Sequence, residues 1–245
     1  MSEHPPTGKS TGFDYEAWEE EVDNETLKQS MQVYYDQRAG EYVDWFLRTG
    51  LYDRPETNEP FLSGLRQLEE DLAAFGEGSI LEVACGIGWW TSLLAQSGLD
   101  VTALDYGPHM LAECRKRLSM NNTHATLVRA SAYELPFADN SVDGCFFGFF
   151  FSHVPHDDVS PFLSEVRRVV RPGGSVCIFD SSLPSLDDVE TEIQQRPLRD
   201  GSLHPALKVY YGARGLARVL EPFAEQLSIK KVEGLFITAH YRSRG

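Results

Sequence analysis

The sequence predicts an α/β fold with a doubly wound, mostly parallel sheet, and three observations predict it. Short apolar runs alternate with helical segments from residue 79 onward, the pattern of a sheet covered by helices on both faces. A small-residue turn containing Gly86 and Gly88 joins the first of these runs to a helix. A chain of 245 residues, 42% apolar and 24% charged, has the size and composition of one packed α/β core with additions.

The elements follow in order. Residues 1–26 carry eight acids against one Lys and read as an acidic, solvated arm. Between 27 and 49, Leu27, Met31, Tyr34, Tyr35, Tyr42, Trp45 and Phe46 recur at helical spacing and predict an N-terminal helix. Residues 53–60 form a polar break, after which Leu62, Leu65, Leu68 and Leu72 mark a second helix that ends before Gly76 and Gly78. Strands are predicted at 79–84, 101–105, 125–129, 144–150 and 175–180, with helices at 91–96, 108–119 and 161–170 between them. The last third predicts a hairpin within 196–211 around Arg199-Asp200-Gly201-Ser202, a helix near 215–220 and two closing strands at 227–233 and 235–242. The closing pair makes an antiparallel C-terminal edge on a seven-stranded sheet, preceded by an N-terminal helical addition over 27–78. In such sheets ligands collect at the carboxyl ends of the strands, where strand order reverses.

Charge and composition narrow the function classes. A formal net charge of −15 argues against nucleic acid as partner, since phosphate binding rests on a basic face. The longest apolar stretch, 145–151, is too short to span a bilayer. The start Met-Ser-Glu-His-Pro-Pro lacks the features of a secretory leader, so a cytoplasmic location is expected. Cys85, Cys114, Cys145 and Cys177 are too widely spaced for a metal knuckle or redox pair and read as reduced, buried thiols.

The chemistry sits in Ile80-Leu81-Glu82-Val83-Ala84-Cys85-Gly86-Ile87-Gly88-Trp89-Trp90-Thr91, a strand, a tight turn and a helix start. Glycines there let the backbone turn and approach a ligand closely, and amides at the helix start can receive a negative group. Asp105 ends the next strand, 17 residues after Gly88, where a carboxylate can accept hydrogen bonds from a ribose diol. Together they point to an adenosine cofactor. A dinucleotide fits less well, because its fingerprint places a third glycine where this chain has Thr91.

Further blocks follow in order: Tyr106 and Met110, Ser131-Ala132-Tyr133-Glu134-Leu135-Pro136-Phe137, Asn140-Ser141-Val142-Asp143, His153, and Arg171-Pro172-Gly173-Gly174. With these the chain resembles the class I S-adenosylmethionine (SAM)-dependent methyltransferases, especially the branch of quinone C-methyltransferases and small-molecule methyltransferases. The resemblance implies a Rossmann-like fold, SAM as cofactor, S-adenosylhomocysteine (SAH) as product, and methyl transfer to an O, N or C nucleophile of a small molecule. It implies that Glu82, Ala84, Gly86 and Gly88 hold the methionine end of SAM and Asp105 its ribose. Tyr106 and Met110 would flank adenine, with Ser131 and Ala132 at its amino edge and Gly148 and Phe149 beside the sulfonium.

Two positions depart from the family pattern. Ala84 stands where the first loop glycine is usual, a mild change if φ is negative, and Ser131 replaces an Asp that meets adenine. Tyr35, Arg38 and Tyr42 share one helical face, where Arg38 can pair with the SAM carboxylate. His153 and His156, just after the fourth strand, are the candidate general bases, and no metal is called for. Residues 27–78 and an insertion at 184–211 are expected to form lids over the site. The alternatives are a SAM-binding cyclase or regulator without methyl transfer, and a nicotinamide-dependent oxidoreductase.

Overall fold

The computed structural model describes residues 23–245; most of the acidic arm expected at 1–26 lies outside the described residues. Helix α1 (Asn24–Gln37) begins at Asp23, whose carboxylate accepts from the Thr26 amide, a side-chain cap on an otherwise orphan donor. A 3₁₀ turn (Ala39–Glu41) separates it from α2 (Tyr42–Leu47), so the single helix expected over 27–49 is broken in two. Helix α3 (Pro55–Ala73) starts inside the expected polar break. Pro55 occupies a first-turn position that needs no N–H, and the stripe Phe61, Leu65, Leu68, Leu72 supplies the buried face.

The core then runs β1 (Ser79–Val83), α4 (Trp89–Gln96), β2 (Asp100–Asp105), α5 (Pro108–Met120), β3 (Thr126–Arg129), β4 (Val142–Gly148), α6 (His156–Val169) and β5 (Val170–Ser181). After the hairpin β6 (Val189–Pro197) and β7 (Leu203–Tyr211) come α7 (Ala213–Leu220), β8 (Ala224–Val232) and β9 (Phe236–Ser243). Seven strands form one sheet in the order β3-β2-β1-β4-β5-β9-β8. The first five pair in parallel, and β9 runs antiparallel between β5 and the edge strand β8.

Successive residues of the central strands face opposite sides, and both sides are apolar, which is why these runs are continuous rather than alternating. Leu81, Cys145, Phe147, Val176 and Ile178 pack with α6 and α7, whereas Ile80, Val101, Phe146, Cys177 and Phe179 pack with α3, α4 and α5. Strand β4 stops at Gly148, two residues short of expectation, because Phe149 takes φ 58°. All four cysteines are buried and unpaired.

The hairpin expected around residues 199–202 is present as a separate two-stranded sheet. Its tip is tied to the N-terminal helices by Arg199, which pairs with Asp44 and reaches Glu41 at 3.9 Å. These two parts of the chain, far apart in sequence, meet beside the carboxyl ends of β1, β2 and β4.

Candidate active site

Strand order reverses between β1 and β4, and the turn leaving β1 carries three left-handed residues in alternation: Ala84 (φ 56°), Gly86 (φ 53°) and Gly88 (φ 74°). Ala84 therefore corrects the expectation of a mild replacement. Its Cβ sits in a conformation that costs an L-residue about 1–2 kcal/mol. Gly88 has no alternative, since a Cβ there would lie 2.5 Å from Cys114 Sγ and 3.1 Å from Cys114 Cα.

Asp105 closes β2 opposite this turn. Its two carboxylate oxygens accept the Gly86 and Gly107 amides, each at 2.8 Å, which aims the carboxylate and ties the two loops together. Burial pushes its pKa up to about 6, against the pull of those amide bonds. Glu82 is 1% exposed and its Oε2 has no partner; burial drives its pKa well above the usual carboxyl range.

The turn and Asp105 open onto a cleft. Ala84, Gly86, Asp105, Tyr106, Met110, Ala132, Gly148 and Phe149 line one half of it, and Tyr35 and His153 line the other. Of the remaining expected residues, Glu82 and Gly88 lie behind the turn and Arg38 is buried beneath α1 and α2. Ser131 accepts the Tyr133 amide at 3.2 Å, and none of these four lines the cleft. His156 is exposed at the start of α6, bonded to Thr191 Oγ1 at 2.9 Å, and is likewise outside the lining.

His153 is 7% exposed, in the 3₁₀ turn after β4. Its Nδ1 lies 2.6 Å from the Leu207 carbonyl. A carbonyl only accepts, so Nδ1 carries the proton and Nε2 is an acceptor. The Tyr35 hydroxyl, 2.8 Å from Nε2, must then donate to it, while accepting from Arg196 Nη1. Burial, with Lys208 and Arg196 nearby, holds the His153 pKa well below its usual value, so the ring stays neutral.

Sequence reasoning missed Lys28, Met31, Asp36, Gly107 and Tyr133, which also line the cleft. Asp36 belongs to the same segment as Tyr35 and accepts the His109 amide at 2.8 Å. It also missed Lys208, whose signal was a charged residue set between Leu207 and Val209 in an apolar strand.

A family model described as a methyltransferase domain matches residues 81–178. Demethylmenaquinone methyltransferase of Listeria monocytogenes is 36% identical over 112 residues, 44% of this chain and 46% of that protein. The Staphylococcus aureus enzyme of the same name is 39% identical over 109 residues, 43% and 44% of the two chains. The chain thus spans about half the length of the curated relatives it matches. Among solved structures, DhpI bound to SAH superposes with a TM-score of 0.70 at 27% identity, over 91% of this chain and 99% of that one. The DhpI-SAM-HEP complex gives 0.71 at 29% identity, over 89% and 99%. By these matches the chain resembles the class I SAM-dependent methyltransferases, including their quinone C-methyltransferase branch.

Proposed function

We infer that the chain transfers a methyl group from SAM to a small-molecule acceptor by in-line displacement. The observation that carries this reading is the Asp105 carboxylate, held by the Gly86 and Gly107 amides at the mouth of the cleft. SAM, when bound, supplies an electrophilic methyl group on a sulfonium. The residues present fit it. Asp105 is positioned to accept from the ribose hydroxyls, Tyr106 and Met110 to flank adenine, and Ala132 to meet its amino edge, with Ser131 set back beside it holding the Tyr133 amide. The orphaned buried oxygen of Glu82 suits the methionine amine, reached through the turn at Ala84, Gly86 and Gly88. Tyr35 lines the cleft toward the carboxylate end, with Arg38 buried behind it, and Gly148 and Phe149 lie toward the sulfonium.

The chain's own work is alignment and exclusion of water. The roof for that purpose comes from residues 27–78 and the 184–211 insertion, which act as lids. His153, neutral and with Nε2 turned to Tyr35, takes the acceptor's proton through the Tyr35 hydroxyl; His156 stands too far out on α6 to share that role. Net charge −15 supports a small molecule rather than nucleic acid as acceptor. Among the described residues no helix is long and apolar enough to cross a membrane, and the cytoplasm is the proposed location.

Calorimetry with SAM, SAH and NAD tests the cofactor. SAM and SAH bind and NAD does not; NAD binding without SAM binding would sink the reading. Because the Asp105 pKa lies near 6, its carboxylate is ionised above that pH and protonated below it. SAM affinity is therefore full above pH 6 and falls toward about tenfold per pH unit below it. Asp105→Asn binds SAM weakly at every pH and loses this slope; a slope that survives the substitution assigns it to another group. Transfer of a labelled methyl group from SAM to extract metabolites tests the reaction itself. His153→Ala lowers turnover about 100-fold or more with SAM affinity within a few-fold, and full activity in that variant removes His153 as base.

A further inference from the structure

Behind the Tyr35–His153 wall of the cleft lie three cations, and they are poorly matched by acids. Arg38 is 2% exposed, stacked over the rings of Tyr42 at 4.4 Å and Tyr52 at 4.7 Å, with Nε and Nη2 unbonded. Arg196, on β6, donates to the Gln194 side-chain oxygen Oε1 at 2.8 and 3.1 Å and to the Tyr35 hydroxyl, both neutral partners. Lys208, on β7 and 5% exposed, pairs with Asp180 at 3.1 Å. Among the described residues Asp180 is the one carboxylate in ion-pair contact with any of the three. The tyrosines do not offset the excess, since burial raises the Tyr35 pKa and keeps it a phenol. A chain with 37 acids against 22 Lys and Arg thus leaves two guanidiniums without a counter-ion, Arg38 buried and Arg196 partly buried, where an unpaired charge is costly in proportion to its burial.

Resting on the methyl-transfer reading, we propose that the acceptor substrate carries a small oxyanion, carboxylate or phosphoryl, which docks at the Tyr35–His153 wall against Arg196. Two cations without counter-ions match two anionic groups. The SAM carboxylate answers Arg38, just past the end of α1, and the acceptor's oxyanion answers Arg196 on the hairpin. A guanidinium fork suits either oxyanion through paired N–H donors. His153, neutral at rest, adds no charge there until it takes up a proton. The division also assigns specificity: the sheet loops read the cofactor, and the β6–β7 insertion reads the acidic head of the acceptor.

The test is calorimetry on protein saturated with SAH, so that Arg38 is already engaged, titrated with inorganic phosphate, acetate and the neutral acetamide. Phosphate, acetate or both bind saturably and acetamide does not; whichever oxyanion binds identifies the head group. Arg196→Gln weakens that binding by about tenfold or more, Arg196→Lys by less, and both keep SAH affinity within a few-fold. Failure of both oxyanions to bind, equal binding of acetamide, or unchanged oxyanion affinity in Arg196→Gln overturns the proposal while leaving the methyltransferase reading intact. Failure of SAH itself to bind overturns both, and so separates the two.

Discussion

Asp180→Ala destabilises the fold by about 3–5 kcal/mol, read as a lower urea midpoint at unchanged slope. Asp180 is 2% exposed and accepts the Ser152 amide at 2.8 Å, the Ser181 amide at 2.7 Å and Lys208 Nζ at 3.1 Å. Its removal takes the acceptor from two amides and the counter-ion from Lys208, a cation that keeps Ser152 Oγ at 2.6 Å, already sits near Arg196 and has its pKa lowered by burial. Lys208→Met costs less, because Asp180 keeps both amide bonds and one positive charge leaves a region that has too many. If Asp180→Ala melts within about 1 kcal/mol of the wild type, or Lys208→Met is the worse of the two, the pair does not have the role given to it here.

Gly88→Ala is the second large effect, a loss of about 3 kcal/mol together with loss of SAM binding. The added methyl group meets backbone and not only a movable side chain, since Cys114 Cα lies 3.1 Å away, and φ is 74°. Relief requires α5 to move off α4, which shifts Asp105 and Met110 with it. Gly173 supplies the control: its φ is 73°, yet a Cβ there meets nothing within 4 Å. Gly173→Ala therefore isolates the backbone cost, about 1 kcal/mol. Equal midpoints for the two variants would show that crowding at Gly88 contributes nothing.

The core was readable because its strands are buried on both faces and punctuated by Gly and Pro. Residues 79–180 and the closing pair fall close to where periodicity put them. The starts of helices were less readable. The polar character of 53–60 hid the first turns of α3, because side-chain polarity says little about a segment whose buried face begins only at Phe61. Within the site, Gly86, Gly88 and Asp105 were legible from local spacing, since their roles depend on one strand-to-helix turn. The φ of Ala84 was not, because nothing in an alanine signals a left-handed backbone. The cation cluster was invisible for a different reason: Arg38, Asp180, Arg196 and Lys208 are brought together only by tertiary packing, and no spacing along the chain records it.

The placement of β9 between β5 and β8 sets an order on assembly during synthesis. Strand β8 leaves the ribosome first but has no neighbour in the finished sheet except β9, which is made afterwards. Until residues 236–243 emerge, β5 has an uncovered side and β8 waits as a lone extended segment, a state open to pairing with other chains. Glu225, Lys230 and Lys231 place charges along that waiting strand, and such charges discourage intermolecular pairing. The same residues that make β8 a weak strand by propensity make it a safe one to leave unpaired.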